Sequence, residues 1–253
     1  MQWLRSRGID LQSQGVAGPG VIILTIPCDF PDASISFHFP LTHFRQSLST
    51  QRKSRVVALG SSSTAGANGI VGFPARVEQL LRKANFGCVI DVLNRGIGGQ
   101  EAADELSRIE SDVIAEQPWL VIWQVGTNAA YRYQNYSFDE VEAALRLGLQ
   151  WLSRLPLDVL VMDLQYTAAI VTVPERLKAA EDMQRRIERV TSAAGVNLFT
   201  RWALMKSWCD TGKIPLAALD DGHDDGLHMS ECATAAVSKA LAQAIGSPPA
   251  PRV

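Results

Sequence analysis

The stretch Arg55-Val-Val-Ala-Leu-Gly60-Ser61-Ser62-Ser63-Thr64 runs from unbroken apolar residues straight into glycine and hydroxyls. Val56 to Leu59 leave no polar face, so the run reads as a strand buried on both sides, the kind found in parallel sheets. Open α/β sheets place their binding and catalytic groups at the carboxyl ends of such strands. Ser62, in the turn that follows, reads either as a turn or helix N-cap residue or as a nucleophile. The second role requires a base, because a free hydroxyl is a weak nucleophile near neutral pH.

The same apolar-run-then-turn pattern recurs down the chain. Cys88 to Leu93 leads into Asn94-Arg-Gly-Ile-Gly-Gly99, and Pro118 to Trp123 into Gln124-Val-Gly126-Thr127-Asn128. Leu157 to Asp163 and Val196 to Phe199 read as a fourth and a fifth strand. Between them lie segments of helical period: residues 72–84 with Val77, Leu80, Leu81 and Ala84 inward, then 101–116 with Leu106, Ile109, Val113 and Ile114. Helices are also expected over 138–154, 174–194 with its opening Pro174, and 230–245 with Ser230 as cap and Glu231 in the first turn. Residues 202–225 read as irregular. Strand and helix in alternation predict a flavodoxin-like, doubly wound three-layer α/β/α sandwich around a mainly parallel five-stranded sheet.

The amino end departs from this plan. Val21 to Ile26 reads as a strand, and Ala33 to Phe39 alternates Ile35, Phe37 and Phe39 against Ser34, Ser36 and His38, so the two form a candidate β-hairpin. Gln46 to Ser54 is polar and reads as a linker. The expected organisation is an N-terminal extension over residues 1–53, a catalytic domain over 54–246, and a disordered tail over 247–253. The extension offers a surface for homo-oligomerisation, a cap over the site, or an inert addition.

Composition narrows the partners. With 47% hydrophobic residues, 20% charged residues and a net charge of -2, the 253-residue chain has no polycationic surface for nucleic acid, and a small molecule is the expected ligand. Cys28, Cys88, Cys209 and Cys232 show no Cys-x-x-Cys spacing and read as free thiols. The apolar run Val21–Ile26 lies late for a signal peptide and is too short to span a bilayer, and Pro27 is not the small residue that lipoprotein processing at Cys28 requires. No membrane partner is expected. The expected location is the cytoplasm, with secretion left open.

Four histidines are available as the base. His38 and His43 belong to the extension and read as surface or rim residues. His223 and His228 lie in Asp220-Asp-Gly-His-Asp-Asp225-Gly-Leu-His228. Asp225 and His228 are three apart in a tight turn, a spacing that lets the carboxylate orient the imidazole; His223 has no partner at that spacing. Read alone, the loop is equally a set of solvated charges or a metal site. Gly-x-Gly-Gly at residues 96–99 is too short for a dinucleotide fingerprint and no Walker lysine follows any glycine loop, so no cofactor is expected.

Together, Gly60-Ser61-Ser62, Asn94 to Gly99, Gly126-Thr127-Asn128 and Asp225 to His228 resemble the four ordered blocks of the SGNH hydrolases, the GDSL esterase and lipase family. The resemblance runs from about Val56 to the last helix. It implies Ser62 as nucleophile, His228 as base and then acid, Asp225 as its orienter, and an oxyanion hole of the Ser62 and Gly99 N–H groups with the Asn128 side chain. Ser61 stands where the family usually has aspartate, and so does Ala129. The implied activity is a serine esterase acting on short-acyl esters, acetyl above all, on a carbohydrate or another polar alcohol. An acyltransferase, a thioesterase or a lysophospholipase would use the same triad, and a non-catalytic binding module would keep only the scaffold.

Overall fold

The computed structural model describes residues 30–31, 35–223 and 225–248. Helix α1 (Thr42–Thr50) precedes strand β1 (Lys53–Gly60), which turns into a short helix α2 (Ser62–Ala65). There follow α3 (Phe73–Ala84), β2 (Val89–Gly96), α4 (Ala102–Ser107), α5 (Ile109–Asp112), β3 (Leu120–Gln124) and α6 (Thr127–Tyr131). The chain continues through α7 (Phe138–Leu152), β4 (Asp158–Met162), α8 (Ala168–Val171), α9 (Pro174–Ala194), β5 (Asn197–Phe199), α10 (Arg201–Asp210) and α11 (Glu231–Gly246).

The strands pair in the order β2-β1-β3-β4-β5, parallel throughout. This is the flavodoxin-like order expected from the sequence. The chain leaves β1 for the edge strand β2 and then crosses back to β3, so the connections diverge between β1 and β3 and open a crevice above their carboxyl ends.

Alternation along the strands divides the core in two. Val56, Ala58, Leu120, Ile122, Leu160 and Met162 face one layer, built with Phe44 of α1, Val77 and Leu81 of α3, and Val237 and Leu241 of α11. Val57, Leu59, Val121, Trp123 and Val161 face the other, with Leu145 and Leu149 of α7 and Met183 and Ile187 of α9. Both faces being covered, the strands can carry the uninterrupted apolar runs that marked them in the sequence. Gly148 shows how closely α7 lies on the sheet, since a Cβ there would stand 2.4 Å from the Trp123 ring.

Four local expectations are corrected. Residues 42–50 form α1 where a linker was expected over 46–54. Phe44 anchors the helix in the core, Phe44 N–H donates to Asp158 Oδ2 (2.8 Å), and of the polar residues that suggested a linker Gln46, Ser49 and Thr50 are exposed while Ser47 is buried against Ser54. Of the candidate hairpin, residues 21–26 and 33–34 lie outside the described residues, and 35–39 form no strand; Phe37 is buried while Phe39 is exposed, and Asn197 holds the Phe39 backbone through both N–H and C=O. The helix expected over 101–116 is broken at Arg108 (φ -115°, ψ 10°). Its guanidinium turns to Gln100 Oε1 (2.7 Å), Arg95 O (2.8 Å) and Asp112 (2.6 Å), tying the break to the end of β2. Within 202–225, α10 occupies 201–210; its buried side chains enter both cores, which erased the one-sided pattern that announces a helix. Cys88 and Cys209 are free thiols as expected, whereas Cys232 is disulfide-bonded. Of the expected tail, residues 249–253 lie outside the described ones. No helix among the described residues is long and apolar enough to cross a membrane.

Candidate active site

Ser62 is the first residue of α2, directly beyond the carboxyl end of β1. Gly60 makes the turn possible, because a Cβ there would lie 2.4 Å from Thr64 Oγ1 and 2.9 Å from Gln124 Oε1. Beneath the turn, the buried Gln124 at the end of β3 accepts hydrogen bonds at Oε1 from Ser61 N–H (3.1 Å), Ser61 Oγ (3.0 Å), Ser63 Oγ (2.9 Å) and Thr64 Oγ1 (3.2 Å). Ser63 Oγ also accepts from Nη1 of the fully buried Arg201 (3.1 Å), whose other donors reach Asp163 O and Thr127 Oγ1. Burial lowers Arg201 to about 10 and raises the neighbouring Asp163 to about 7.

The loop before α11 brings the histidine to this turn. An isolated bridge joins Asp220 to Met229, Asp221 N–H donates to His228 O (3.0 Å), and Ser230 N–H donates to Leu219 O (2.8 Å). His228 Nε2 then lies 3.1 Å from Ser62 Oγ. On the other side of the ring, Nδ1 lies 3.2 Å from Asp225 Oδ2, close enough for an ion pair but out of line for a hydrogen bond. Asp225 Oδ1 meanwhile accepts from Leu227 N–H (2.9 Å), so the carboxylate is held by its own turn. Of the three, Asp225 has the most exposed charge, its side chain being 39% accessible against 18% for His228. His223 is exposed, its carbonyl accepting from Gly226 N–H (3.0 Å) in the same loop, His38 is exposed, and His43 sits half-buried on α1.

The Asn94 to Gly99 block reaches the same place by a different route. Asn94 Nδ2 donates to Ala65 O (3.1 Å) while its Oδ1 accepts from Gly96 N–H (2.9 Å), clasping the end of β2 to α2. A Cβ on Gly98 would stand 3.9 Å from Ser62 Cβ, which sets the 97–99 turn against the serine. Gly99 has φ +82°, a conformation that glycine adopts without strain, and its carbonyl accepts from Tyr136 Oη (3.2 Å). Asn128, buried in the first turn of α6, donates from Nδ2 to Gln100 O (2.8 Å), so the second and third blocks are joined side chain to backbone.

A small cleft of about 20 Å³ opens at the serine, lined by Ser62, Ser63, Ala67, Ile70, His228 and Met229 among others. Among the described residues no group of three or more His, Cys, Asp or Glu side chains is arranged to hold a metal. The arrangement can pass a proton from a hydroxyl to an imidazole steadied by a carboxylate, beside backbone and carboxamide donors. The supporting residues Gln124, Glu101, Asp163 and Arg201 escaped the sequence reading. Their one signal was a polar side chain next to an apolar strand end, which many surface residues share.

Comparison with known proteins gives a family and a shared fold. The model of the non-GDSL lipase-like family matches residues 27–247. Among solved structures, an acetyl-xylooligosaccharide esterase from Geobacillus stearothermophilus superposes with a TM-score of 0.66 at 22% identity, over 79% of this chain and 97% of that one. A lipase/acylhydrolase from Enterococcus faecalis gives 0.62 at 21% identity, over 75% and 93%. These similarities share the fold. An uncharacterized lipoprotein of Bacillus subtilis, YqeF, is 37% identical over 78 residues, 30% of this chain and 32% of that protein, so the match spans about a third of its length.

Proposed function

Since the chain belongs to the non-GDSL lipase-like family and is thereby a carboxylic ester hydrolase of the SGNH type, we propose that it cleaves short-acyl esters through a Ser62–His228–Asp225 triad and an acyl-enzyme. The observation that carries this reading is the 3.1 Å approach of Ser62 Oγ to His228 Nε2, with Asp225 on the far side of the ring. Ser62 Oγ attacks the ester carbonyl as its proton passes to Nε2. The oxyanion takes hydrogen bonds from the Ser62 and Gly99 N–H groups and from Asn128 Nδ2. The intermediate collapses as His228 returns the proton to the leaving alcohol, and water, deprotonated by the same nitrogen, releases the acid. No step calls for a cofactor.

The small cleft, with Ile70 and Met229 in its lining, supports a small acyl group. An acetyl ester of a saccharide or another polar alcohol is the proposed substrate, in keeping with the acetyl-xylooligosaccharide esterase that shares the fold. The test is labelling by a fluorophosphonate together with hydrolysis of nitrophenyl esters of increasing chain length. Labelling abolished by Ser62→Ala and a rate maximum at acetyl are expected. A folded wild type that neither labels nor hydrolyses would sink the enzyme reading in favour of a binding module, and a maximum at long chains would favour a lysophospholipase-type substrate. Partition of the acyl group between water and an added alcohol separates hydrolase from transferase.

For location, the amino-terminal pattern supports the cytoplasm, while the lipoprotein relative and the disulfide at Cys232 support export, since disulfides persist in oxidising compartments. Cell fractionation decides between them. Homo-oligomerisation through residues 1–53 is proposed from the sequence, and sedimentation of chains with and without residues 1–29 tests the outermost part of that surface.

A further inference from the structure

Glu101 is 2% exposed, and its carboxylate gathers backbone N–H groups from two elements. Oε1 accepts from Ala102 N–H (3.1 Å) at the start of α4 and from Gly126 N–H (2.7 Å), while Oε2 accepts from Ala129 N–H (2.9 Å). Gly126 is the N-cap of α6 and Ala129 its third residue. In an ordinary capping box, the third residue's own side chain reaches back to the N-cap N–H. Alanine at 129 has nothing to reach with, and the N–H it would have bound is taken by Glu101.

Directly before Glu101, Gln100 O accepts from the Asn128 side chain, and Gly99 precedes Gln100. One short segment therefore carries Gly99, grips the Asn128 carboxamide, and anchors the turn in which Asn128 sits. We infer that Glu101 is a positioning residue, supplying from the β2–α4 connection the carboxylate that Ala129 lacks and so fixing Asn128 relative to Gly99. The inference rests on the proposed esterase reading for its kinetic consequence, and on the hydrogen bonds alone for its structural one.

A neighbouring carboxyl group serves as the contrast. Glu105 is equally buried, yet Oε2 meets only the Trp123 indole N–H (2.7 Å) and Oε1 has no partner among the described residues. Burial, reinforced by the charge of Glu101, pushes it well above the ordinary carboxylate range. Burial also raises Glu101, but the N–H groups of Gly126, Ala129, Ala102 and Asn128 oppose that shift. Of the two acids, Glu101 faces three backbone N–H donors that reward a negative charge and Glu105 a single indole N–H.

The test is a double-mutant cycle with Asn128→Ala, read as kcat and KM on a nitrophenyl acetate, with hydrogen exchange of the peptide spanning residues 124–132. Glu101→Gln is expected to lower kcat on the order of 10- to 100-fold with KM within about twofold. In the Asn128→Ala background the same change should cost less than about threefold, because the donor it positions is already gone. Glu105→Gln, which keeps an oxygen to accept from the Trp123 indole, leaves kcat and exchange unchanged. Glu101→Asp, which keeps the charge and withdraws it by one methylene, gives an intermediate loss and covers the case in which Glu101→Gln does not fold. Equal losses in both backgrounds, or a Glu101→Gln protein whose 124–132 amides exchange no faster than wild type, would overturn the inference. If wild type proves not to be an esterase, the exchange result alone decides it.

Discussion

Gln124 holds Ser61 by two bonds at once, its Oε1 accepting from both the backbone N–H (3.1 Å) and the hydroxyl (3.0 Å). At the position where the family usually has aspartate, the serine is thus tied to a strand-end glutamine. Replacing Gln124 with methionine keeps the volume but removes the acceptor, stranding the buried Ser61 N–H and hydroxyl. Unsatisfied buried donors cost about 1–3 kcal/mol each, so a lowered melting temperature and a reduced kcat are expected together. Thermal unfolding and ester hydrolysis measured on the same preparation check this; unchanged values in both would remove Gln124 from the role.

Asn128→Ala removes one proposed oxyanion donor while leaving the triad in place. A loss of about 3 kcal/mol in transition-state stabilisation is expected, the size found for single donors of this type. The readout is kcat at saturating ester, with KM little changed. Undiminished turnover would take Asn128 out of the oxyanion hole.

Gly96 lies against the backbone of α2, where a Cβ would meet Ala65 N at 2.2 Å and Ala65 Cα at 2.7 Å. Those atoms cannot yield without moving the turn that carries Ser62. Gly96→Ala should destabilise the fold by at least the ~1–3 kcal/mol typical of overpacking and depress kcat further than the stability loss explains. Denaturant melts with kinetics under conditions where the variant is fully folded separate the two effects.

Asp163 is the group that sets a pH dependence of stability. Its carboxyl is raised from 3.8 to about 7, burial outweighing the Trp202 N–H and the Arg201 charge. Between those values the folded chain binds more protons than the unfolded one, so the contribution of Asp163 is complete below about pH 4 and is lost as pH rises through about 7. The stability of wild type relative to Asp163→Asn should therefore fall across that interval, as measured by urea unfolding at a series of pH values. A constant difference would show that Asp163 does not titrate in the fold.

Much of this molecule was written locally. Largely apolar runs announced the five strands, unbroken in β1 and β3, and Gly or Asn beyond the first three announced the turns. The alternation with helical segments was enough for the sheet order, because right-handed crossovers leave few arrangements. Ser62 and Asn128 could be singled out as candidates for the same reason, each lying within two residues of a strand end or helix start, and the Asp225–His228 pair by its spacing in the loop before α11. Where a pattern depended on burial from two sides, as in α10, or on one anchoring side chain, as Phe44 in α1, the sequence misled.

What the amino-acid order determined by itself, then, was the scaffold and the four blocks proposed to carry the chemistry. Tertiary structure alone decided that Gln124 lies beneath Ser61, that Glu101 takes over the carboxylate position left empty by Ala129, and that His228 comes within 3.1 Å of a hydroxyl 166 residues earlier in the chain. The reason is physical. Strand and helix periods are properties of neighbouring residues, whereas a hydrogen bond between separate elements depends on register and on the packing of everything between them.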